Sequence, residues 1–448
     1  MQKLFGTDGI RAVAGEFPLD AATVRMIGTS LGRQFAERLG KAPRFVIGRD
    51  TRESGTWIED AIATGASAAG AVCESAGVIT TPGVAYLTAK LGFDAGIVIS
   101  ASHNPFQDNG IKVFLPDGRK LDSATERATE ADIAAGVEAA TIAQESAESS
   151  EHLAEYQIEY LDHLRAGVPT LSLLGRKIVI DCANGAASHL APRLFESLGA
   201  NVVAIHNEPN GININEDCGS THIDDLREAV VVHRADLGIA FDGDADRSLF
   251  VDEYGELVDG DATLWIIARK LHEQGTLKAE KVIATVMSNI GLEKALSSID
   301  VELVRTDVGD KYVLAELLNS GASVGGEQSG HIIFPEIGLV GDGMMTALLL
   351  LDAVGVRTLS EAITGFTQYP QILVNVKVAK KVPFDELADV VAAKDQIEQE
   401  LHGEGRLLLR YSGTENLARV MIEGKDQSQI EEQAHRLANV IERALREA

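Results

Sequence analysis

Nothing in the 448-residue sequence supports a disulfide framework, a membrane span or a polyanionic partner. Cysteine is scarce: Cys73, Cys182 and Cys218 lie far apart without metal-ligand spacing, and they read as reduced, mostly buried thiols. No apolar run approaches the roughly 20 residues of a transmembrane helix. The opening Met1–Asp8 carries no signal-peptide core, so the expectation is a cytoplasmic protein with no membrane partner. Basic charge is also short, with 40 Lys plus Arg against 67 Asp plus Glu and a formal charge of −27. Nonspecific nucleic-acid binding depends on clustered basic charge, and this composition argues against it. A small phosphorylated ligand stays compatible, because a few arginines and backbone amides bind phosphate locally.

What is present is ordinary globular composition, 45% hydrophobic and 24% charged. Single cores stop growing by about 250–300 residues, so several domains are expected. The organising stretch is Ile99-Ser100-Ala101-Ser102-His103-Asn104-Pro105. Ala95–Ile99 reads as a buried strand of a mostly parallel sheet, which puts Ser102 at the strand's carboxyl end, where open α/β sheets place ligands. Pro105 restrains Asn104 to an extended conformation. A serine hydroxyl in such a turn is a candidate nucleophile or phosphate carrier if its charge is compensated, and otherwise a plain turn.

Before that stretch, Phe5–Arg11 forms a glycine-bearing turn with Arg11, either a phosphate cradle or an N-terminal hairpin. Apolar positions recur at helical spacing from Leu19 to Leu39 and stop at Gly40. Phe45–Gly48 is a strand, and small residues predict a helix from about Thr56 to Ala76, followed directly by the strand leading to Ser102. Asn109-Gly110 predicts a turn, with Lys112 on the strand leaving it. Lys112 is either a solvated edge residue or a participant in proton transfer or charge neutralisation. Ser123–Ser150 is alanine-rich and acidic, and its end is the expected first domain boundary.

A second unit repeats the pattern: helix Leu153–Leu164, strand Lys177–Asp181, the Asn184-Gly185 turn, and strand Ala235–Phe241 running into Asp242-Gly243-Asp244-Ala245-Asp246-Arg247. Alternate carboxylates with small residues between them can converge on one hard cation, or form a purely structural acidic turn. An EF-hand is rejected, since strands flank the loop and Arg247 stands at the sixth place, where glycine is required. Carboxylates borne on such a loop leave positions for water or phosphate, which suits Mg²⁺. In a third unit, helix Gly260–Leu271 and strands Lys281–Val286 and Val301–Val304 precede Gly325–His331. That loop's carboxylate, amide, hydroxyl and imidazole suit a many-hydroxyl ligand, or equally a polar hairpin. After Tyr369-Pro370 the order is strand, helix, strand, strand, helix. Arg410–Asn416 lies between two of the strands as an anion nest supported by Arg419.

Taken in order, Phe-Gly-Thr-Asp-Gly-Ile-Arg, Ser-Ala-Ser-His-Asn-Pro, Asp-Gly-Asp-Ala-Asp-Arg, Gly-Glu-Gln-Ser-Gly-His and Arg-Tyr-Ser-Gly-Thr-Glu resemble the α-D-phosphohexomutase superfamily from end to end. The likeness is nearest to its bacterial glucosamine-phosphate branch. It implies three related mixed-sheet α/β domains (1–150, 151–253, 254–368) and a smaller C-terminal α+β domain (369–448) around a central cleft. By position, Ser102 looks like the phosphoserine and, with Asp242, Asp244 and Asp246, the ligand set for one Mg²⁺ per chain. Glu327, Gln328 and Ser329 fall where sugar hydroxyls are held. Arg410, Ser412, Gly413, Thr414 and Arg419 fall in the phosphate-binding loop. Arg11, His103, Lys112, Arg247 and His331 match the supporting cations and acid-base groups.

Gln328 and Asp310 stand where the glucose and mannose branches usually have methionine and histidine. A carboxylate near the sugar favours an ammonium over a hydroxyl. Asn416 departs from the family's usual proline without removing a donor. The implied activity interconverts glucosamine 6-phosphate and glucosamine 1-phosphate through phosphoserine and glucosamine 1,6-bisphosphate, feeding UDP-N-acetylglucosamine and wall-precursor synthesis. A homodimer is the family expectation. The rivals are a phosphomannose or phosphoglucose mutase, a non-catalytic sugar-phosphate binder, and a serine hydrolase using Ser102 and His103. The hydrolase is disfavoured because adjacent residues of an extended segment face opposite ways and no Gly-x-Ser-x-Gly elbow is present.

Overall fold

The computed structural model describes residues 3–6, 8–136, 152–412 and 416–447. The chain divides into two compact units, one of residues 1–283 with 309–364, the other of 284–308 with 365–448.

In the first unit, two five-stranded sheets share the topology of four strands, the fifth being an edge strand that comes first in the chain in one sheet and last in the other. The first contains β1 (Ile10–Val13), β2 (Arg44–Arg49), β3 (Val72–Val78), β4 (Ala95–Ile99) and β5 (Asp108–Phe114), in the order β1-β5-β4-β2-β3. The second contains β6 (Lys177–Asp181), β7 (Asn201–Ile205), β8 (Leu237–Phe241), β9 (Ser248–Asp252) and β10 (Leu257–Val258), in the order β10-β9-β8-β6-β7. In each sheet three parallel strands are followed by an antiparallel return strand. The β4–β5 loop bearing Ser102 and the β8–β9 loop bearing the aspartates therefore occupy equivalent places. The repeat lies in the topology, since apolar β-branched strands such as β4 and β8 are buried along their full length.

Local signals set the flanking helices. Asp20 accepts from Ala22 and Thr23 amides at the start of helix Ala21–Leu39, and Gly40 ends it at φ 65°. The first core packs Val24, Ile27, Leu31, Ile58 and Ile62 from two helices against Phe45, Ile47, Ile97 and Ile111 of the sheet. The expected helix Thr56–Ala76 is wrong in its second half. The helix is Ser54–Ala68, after which β3 and the helix Thr81–Lys90 intervene before β4. Small residues hid that boundary, because β3 (VCESAGV) carries no clean alternation. Asn109-Gly110 is also not a turn, because both residues pair within β5 opposite Ala12 and Arg11. The expected border after Glu253 falls inside the β9–β10 hairpin, and the one after Ser150 lies outside the described residues.

Strand β11 (Lys281–Thr285) follows helix Gly260–Glu273. In the second unit, helix Ile290–Ser297 precedes β12 (Glu302–Thr306). Back in the first, β13 (Gly325–Gly326) pairs antiparallel with β14 (Ile332–Ile333), so Glu327–His331 again joins a strand to its return strand. The second unit ends in an antiparallel sheet of β15 (Gln371–Lys377), β16 (Arg406–Tyr411) and β17 (Leu417–Glu423), ordered β15-β17-β16. Helices Ala388–Glu400 and Gln427–Glu447 contribute to its core through Val390, Ile397, Ile430, Leu437 and Ile441.

Candidate active site

Ser102 is 1% exposed and sits at φ 52° in the left-handed region. Its Oγ donates to Asp242 Oδ2 at 2.5 Å. Its amide donates to Ser100 Oγ at 2.9 Å. Its carbonyl accepts from Arg52 Nη2 at 3.2 Å and Asn215 Nδ2 at 2.9 Å. Arg52 pairs with Asp50, both fully buried, so the loop is clamped by side chains from two domains. The backbone here is not extended, and His103 Nδ1 lies 3.3 Å from Ser102 Oγ. This corrects the expectation that the two side chains diverge, and the geometric objection to a Ser102–His103 pair falls. Burial, with Arg247 and Arg11 nearby, lowers the His103 pKa to about 4 and keeps its imidazole neutral.

The metal loop is built into the same surface. A Cβ on Gly243 would stand 2.5 Å from the Ser102 carbonyl oxygen, so the two loops meet backbone to backbone. Three successive carbonyls are taken by three neighbours: Gly243 by the Ala186 amide (2.8 Å), Asp244 by Thr81 (3.0 Å) and Ala245 by Gly343 (3.0 Å). Asp242, Asp244 and Asp246 are all buried and each offers an oxygen, all within 4.8 Å of one another. Asp244 Oδ1 and Asp246 Oδ1 are buried without a hydrogen-bond partner. Orphaned carboxylate oxygens on a converging set fit a hard divalent cation. Burial, reinforced by Asp246 and Asp244, pushes Asp242 well above the usual carboxylate range. Burial acts upward on Asp246 as well, but Lys112, His331 and Arg247 outweigh it and hold that carboxyl well below the usual range.

A ring of alternating charge joins this cluster to the third domain's loop. Lys112 is 2% exposed, with Nζ 2.8 Å from Asp244 Oδ2, 3.1 Å from Asp8 Oδ2 and 3.6 Å from Asp246 Oδ2. It is no solvated edge residue. Asp8 also takes Arg11 at 2.6 Å and Lys120 at 2.6 Å, and Lys120 reaches Asp310 at 2.5 Å. His331 lies 3.8 Å from Asp310 and 3.6 Å from Asp246, closing the ring. Burial alone lowers a histidine's pKa, yet Asp246, Asp310 and Glu327 raise that of His331 to about 9. For Lys112, burial is likewise outweighed, by Asp244, Asp8 and Asp246, and the ammonium stays charged. Asp310 is thus already engaged, so a ligand ammonium would compete with Lys120 for it.

Arg247 donates its amide to Asp242 Oδ1 at 3.3 Å, while Arg11 Nε and Arg247 Nε are buried without hydrogen-bond partners. Glu327, Gln328 and Ser329 are half-buried. Glu327 Oε1 accepts the Gly309 amide at 3.1 Å, and Gln328 Nε2 donates to Asp259 Oδ2 at 3.1 Å. Asp259 also caps helix Gly260–Glu273, so one carboxylate starts the helix and holds the loop.

In the second unit, Arg410 and Arg419 stand directly opposite on β16 and β17, and burial and Arg419 lower the Arg410 pKa. Like charges directly opposite destabilise a strand pair, and an anion between them would remove the repulsion. The Ser412 amide bonds Leu417 O and its carbonyl accepts from Lys381 Nζ at 2.6 Å. Gly413 and Thr414 lie outside the described residues.

Sequence reasoning missed Asp8, Asp50, Arg52, Lys120 and Asn215. Asp50 and Arg52 follow the end of β2, next to β4 in the sheet, a strand-end position that could have flagged them. For Lys120 and Asn215 no local pattern gave a signal.

Family models described as phosphoglucomutase/phosphomannomutase α/β/α domains I, II and III match residues 2–140, 158–255 and 259–369, and that family's C-terminal domain matches 373–440. The chain is 48% identical to the phosphoglucosamine mutase of Solibacter usitatus, covering 99% of each chain. It is 48% identical to that of Deinococcus deserti, covering 98% of each. Among solved structures, a phosphoglucomutase/phosphomannomutase family protein from Burkholderia thailandensis superposes with TM-score 0.78 at 24% identity, over 99% of this chain and 97% of that one. An Aspergillus fumigatus N-acetylphosphoglucosamine mutase in complex with GlcNAc-6P and magnesium superposes with TM-score 0.67 at 18% identity, over 99% and 96%. Matches of this identity and coverage, on a chain whose four domains follow in the family's order, show that the protein belongs to the phosphoglucosamine mutases of the phosphohexomutase superfamily.

Proposed function

We propose that the protein interconverts glucosamine 6-phosphate and glucosamine 1-phosphate through a phosphoserine at Ser102 and a bound glucosamine 1,6-bisphosphate. The observation that carries this reading is the 2.5 Å bond from the buried Ser102 Oγ to Asp242, which ties a nucleophile to a carboxylate cluster with orphaned oxygens. Asp242, Asp244, Asp246 and the Ser102 phosphate would hold one Mg²⁺, which offsets charge on the transferring phosphoryl group. The sugar hydroxyl forms its P–O bond as the Ser102 P–O bond breaks, and the hydroxyl's proton ends on the freed Ser102 Oγ. On the return step Ser102 Oγ attacks the other phosphate as that phosphate's bond to the sugar oxygen breaks, and the neutral His103, 3.3 Å away, carries the Ser102 proton toward the departing sugar oxygen.

Lys112 acts as fixed positive charge rather than as a proton donor, because its carboxylate partners keep it ionised. Arg11, Arg247 and the cationic His331 supply further positive charge. Glu327, Gln328 and Ser329 take the sugar hydroxyls. Arg410, Ser412, Gly413, Thr414 and Arg419 hold the phosphate that is not reacting, a role the facing Arg410 and Arg419 support. Asp310 selects the amino sugar by exchanging Lys120 for the substrate ammonium. Domain borders after residues 150 and 368, a further one beyond the β9–β10 hairpin rather than after residue 253, a homodimer, and a cytoplasmic location consistent with three free thiols belong to the same reading. No helix among the described residues is long and apolar enough to cross a membrane.

Intact-protein mass and peptide mapping, before and after incubation with glucosamine 6-phosphate and Mg²⁺, test it. A phosphate on Ser102 that exchanges with substrate is expected, and Ser102→Ala should abolish turnover with the fold intact. An active Ala variant, or a protein that takes up no phosphate even from a sugar bisphosphate, would overturn the phosphoenzyme.

A further inference from the structure

A second group of ligand atoms lies outside the aspartate cluster. Asp181 ends β6, His206 follows β7, and Cys218 precedes the turn Gly219–Thr221. Their oxygen, nitrogen and sulfur atoms all lie within 4.8 Å of one another. Asp181 and Cys218 are fully buried, and the His206 side chain is 26% exposed. His206 Nδ1 stands 3.1 Å from Asp181 Oδ2, yet this buried nitrogen makes no hydrogen bond. His206 stands between two carboxylates, Asp181 and Asp225, which favour its protonated form, and a metal at Nδ1 would take the place of the proton facing Asp181.

Zinc bound to O, N and S ligands in a tetrahedron separates them by about 3.3–3.6 Å, and the observed set, with its O–N pair at 3.1 Å and no pair beyond 4.8 Å, brackets that spacing. The surroundings match what a ligating imidazole needs. The outer nitrogen, Nε2, is 3.2 Å from Asp225 Oδ2, the carboxylate-to-histidine contact that orients a ring ligating through Nδ1. Asp181 is itself oriented by the Ala183 and Gly219 amides, each at 2.9 Å. Asp225, 61% exposed, gives a path from solvent. In the linear sequence these residues show no metal spacing, because the set forms only when the ends of β6 and β7 come together.

We propose that Asp181, His206 and Cys218 bind a borderline-soft divalent cation, zinc above all, with the fourth position left to water. The Cys218 thiol releases its proton to solvent as the sulfur–metal bond forms. The site is structural. Asn215, three residues before Cys218, accepts no metal but clamps the Ser102 and Asn104 carbonyls at 2.9 and 3.0 Å. A filled site therefore ties the clamp to the sheet.

The test adds Co²⁺ to chelator-treated full-length protein in excess Mg²⁺. A near-ultraviolet thiolate-to-cobalt band that saturates at one equivalent is expected. It should persist in Cys73→Ser and Asp244→Asn, and vanish in Cys218→Ser and His206→Asn. Zinc should also slow alkylation of the Cys218 peptide in the unsubstituted protein by at least about tenfold, a readout that needs no variant to fold. Absence of the band, its survival in Cys218→Ser, its loss in Asp244→Asn, or alkylation indifferent to zinc would each overturn the site. None of these readouts involves mutase turnover.

Discussion

Replacing Lys112 by Met isolates the charge at the centre of the ring. Methionine keeps most of the aliphatic stem, so packing around β5 changes little and what disappears is the ammonium. Asp8 keeps Arg11 and Lys120, and Asp246 keeps His331 and Arg247. Asp244 is left with the Thr81 hydroxyl. The loss therefore falls on one carboxylate that is 1% exposed. Removing one partner of a buried pair costs about 3–5 kcal/mol, and partial relief through Thr81 puts the expectation at about 3. In chelator, the melting transition of the first unit should drop by about 4 °C. A divalent ion restores the missing positive charge, so millimolar Mg²⁺ should raise the melting temperature more in Lys112→Met than in the unsubstituted protein, while turnover stays lost. Calorimetry with and without Mg²⁺ reads both effects. An unchanged melt in chelator, or a smaller Mg²⁺ response in the variant, would refute the reasoning that Lys112 and the cation neutralise the same carboxylates.

Burial raises the Asp342 pKa to about 6 from an ordinary 3.8, so between those values the folded state holds a proton that the unfolded chain has lost. Stability falls as pH climbs through this window, by at most about 3 kcal/mol, and the deficit persists above it. Asp342→Asn, which can still cap helix Gly343–Val354, should be more stable than the unsubstituted protein at neutral pH and equal to it near pH 4. A difference in urea midpoint that ignores pH would remove this explanation. Gly260→Ala would place a Cβ 2.1 Å from the Glu327 carbonyl oxygen, so the loop must move. A loss of about 1–3 kcal/mol and a raised KM for the sugar phosphate with Mg²⁺ affinity intact are expected, and unchanged kinetics would contradict the packing. Asp310→Ala should lower the turnover preference for glucosamine over glucose phosphates; unaltered selectivity would take Asp310 out of substrate choice.

The parts of the site that proved legible in sequence are those where one short segment carries a whole chemical idea. Asp242–Asp246 announced a cation because its carboxylates are two residues apart and a strand delivers them. Ser102 was visible because β4 is an uninterrupted apolar run that ends on a polar turn. Lys112 was ambiguous, since its burial comes from Asp8 and Asp244, the latter 132 residues away. Lys120 and Asp310 are 190 residues apart, and local pattern does not encode that pair. Boundaries failed where composition was neutral: β3 is small and polar enough to pass for the end of a helix, and Asn109-Gly110 lies inside a strand because Asn109 finds a buried partner in Ser54. The left-handed φ of Ser102 was equally invisible, and the side chains that hold its carbonyl, Arg52 and Asn215, lie far from it in the chain.

The carbonyls of Gly243, Asp244 and Ala245 each serve a different neighbour, and the loop presses against Ser102 with no room for a methyl group. Such a segment behaves like a keystone: shifting it by an ångström would break bonds on three sides at once. The Ser102 loop and the aspartate loop are therefore packed as one block, a fixed anvil. If phosphate leaves Ser102 for one end of a sugar and returns from the other, the half-turn belongs to the bisphosphate and not to the residues that hold the phosphoryl group. Processivity then becomes a contest between rotation of a loosely held intermediate and its escape, and substitutions that slow tumbling without touching the anvil should shed bisphosphate into solution.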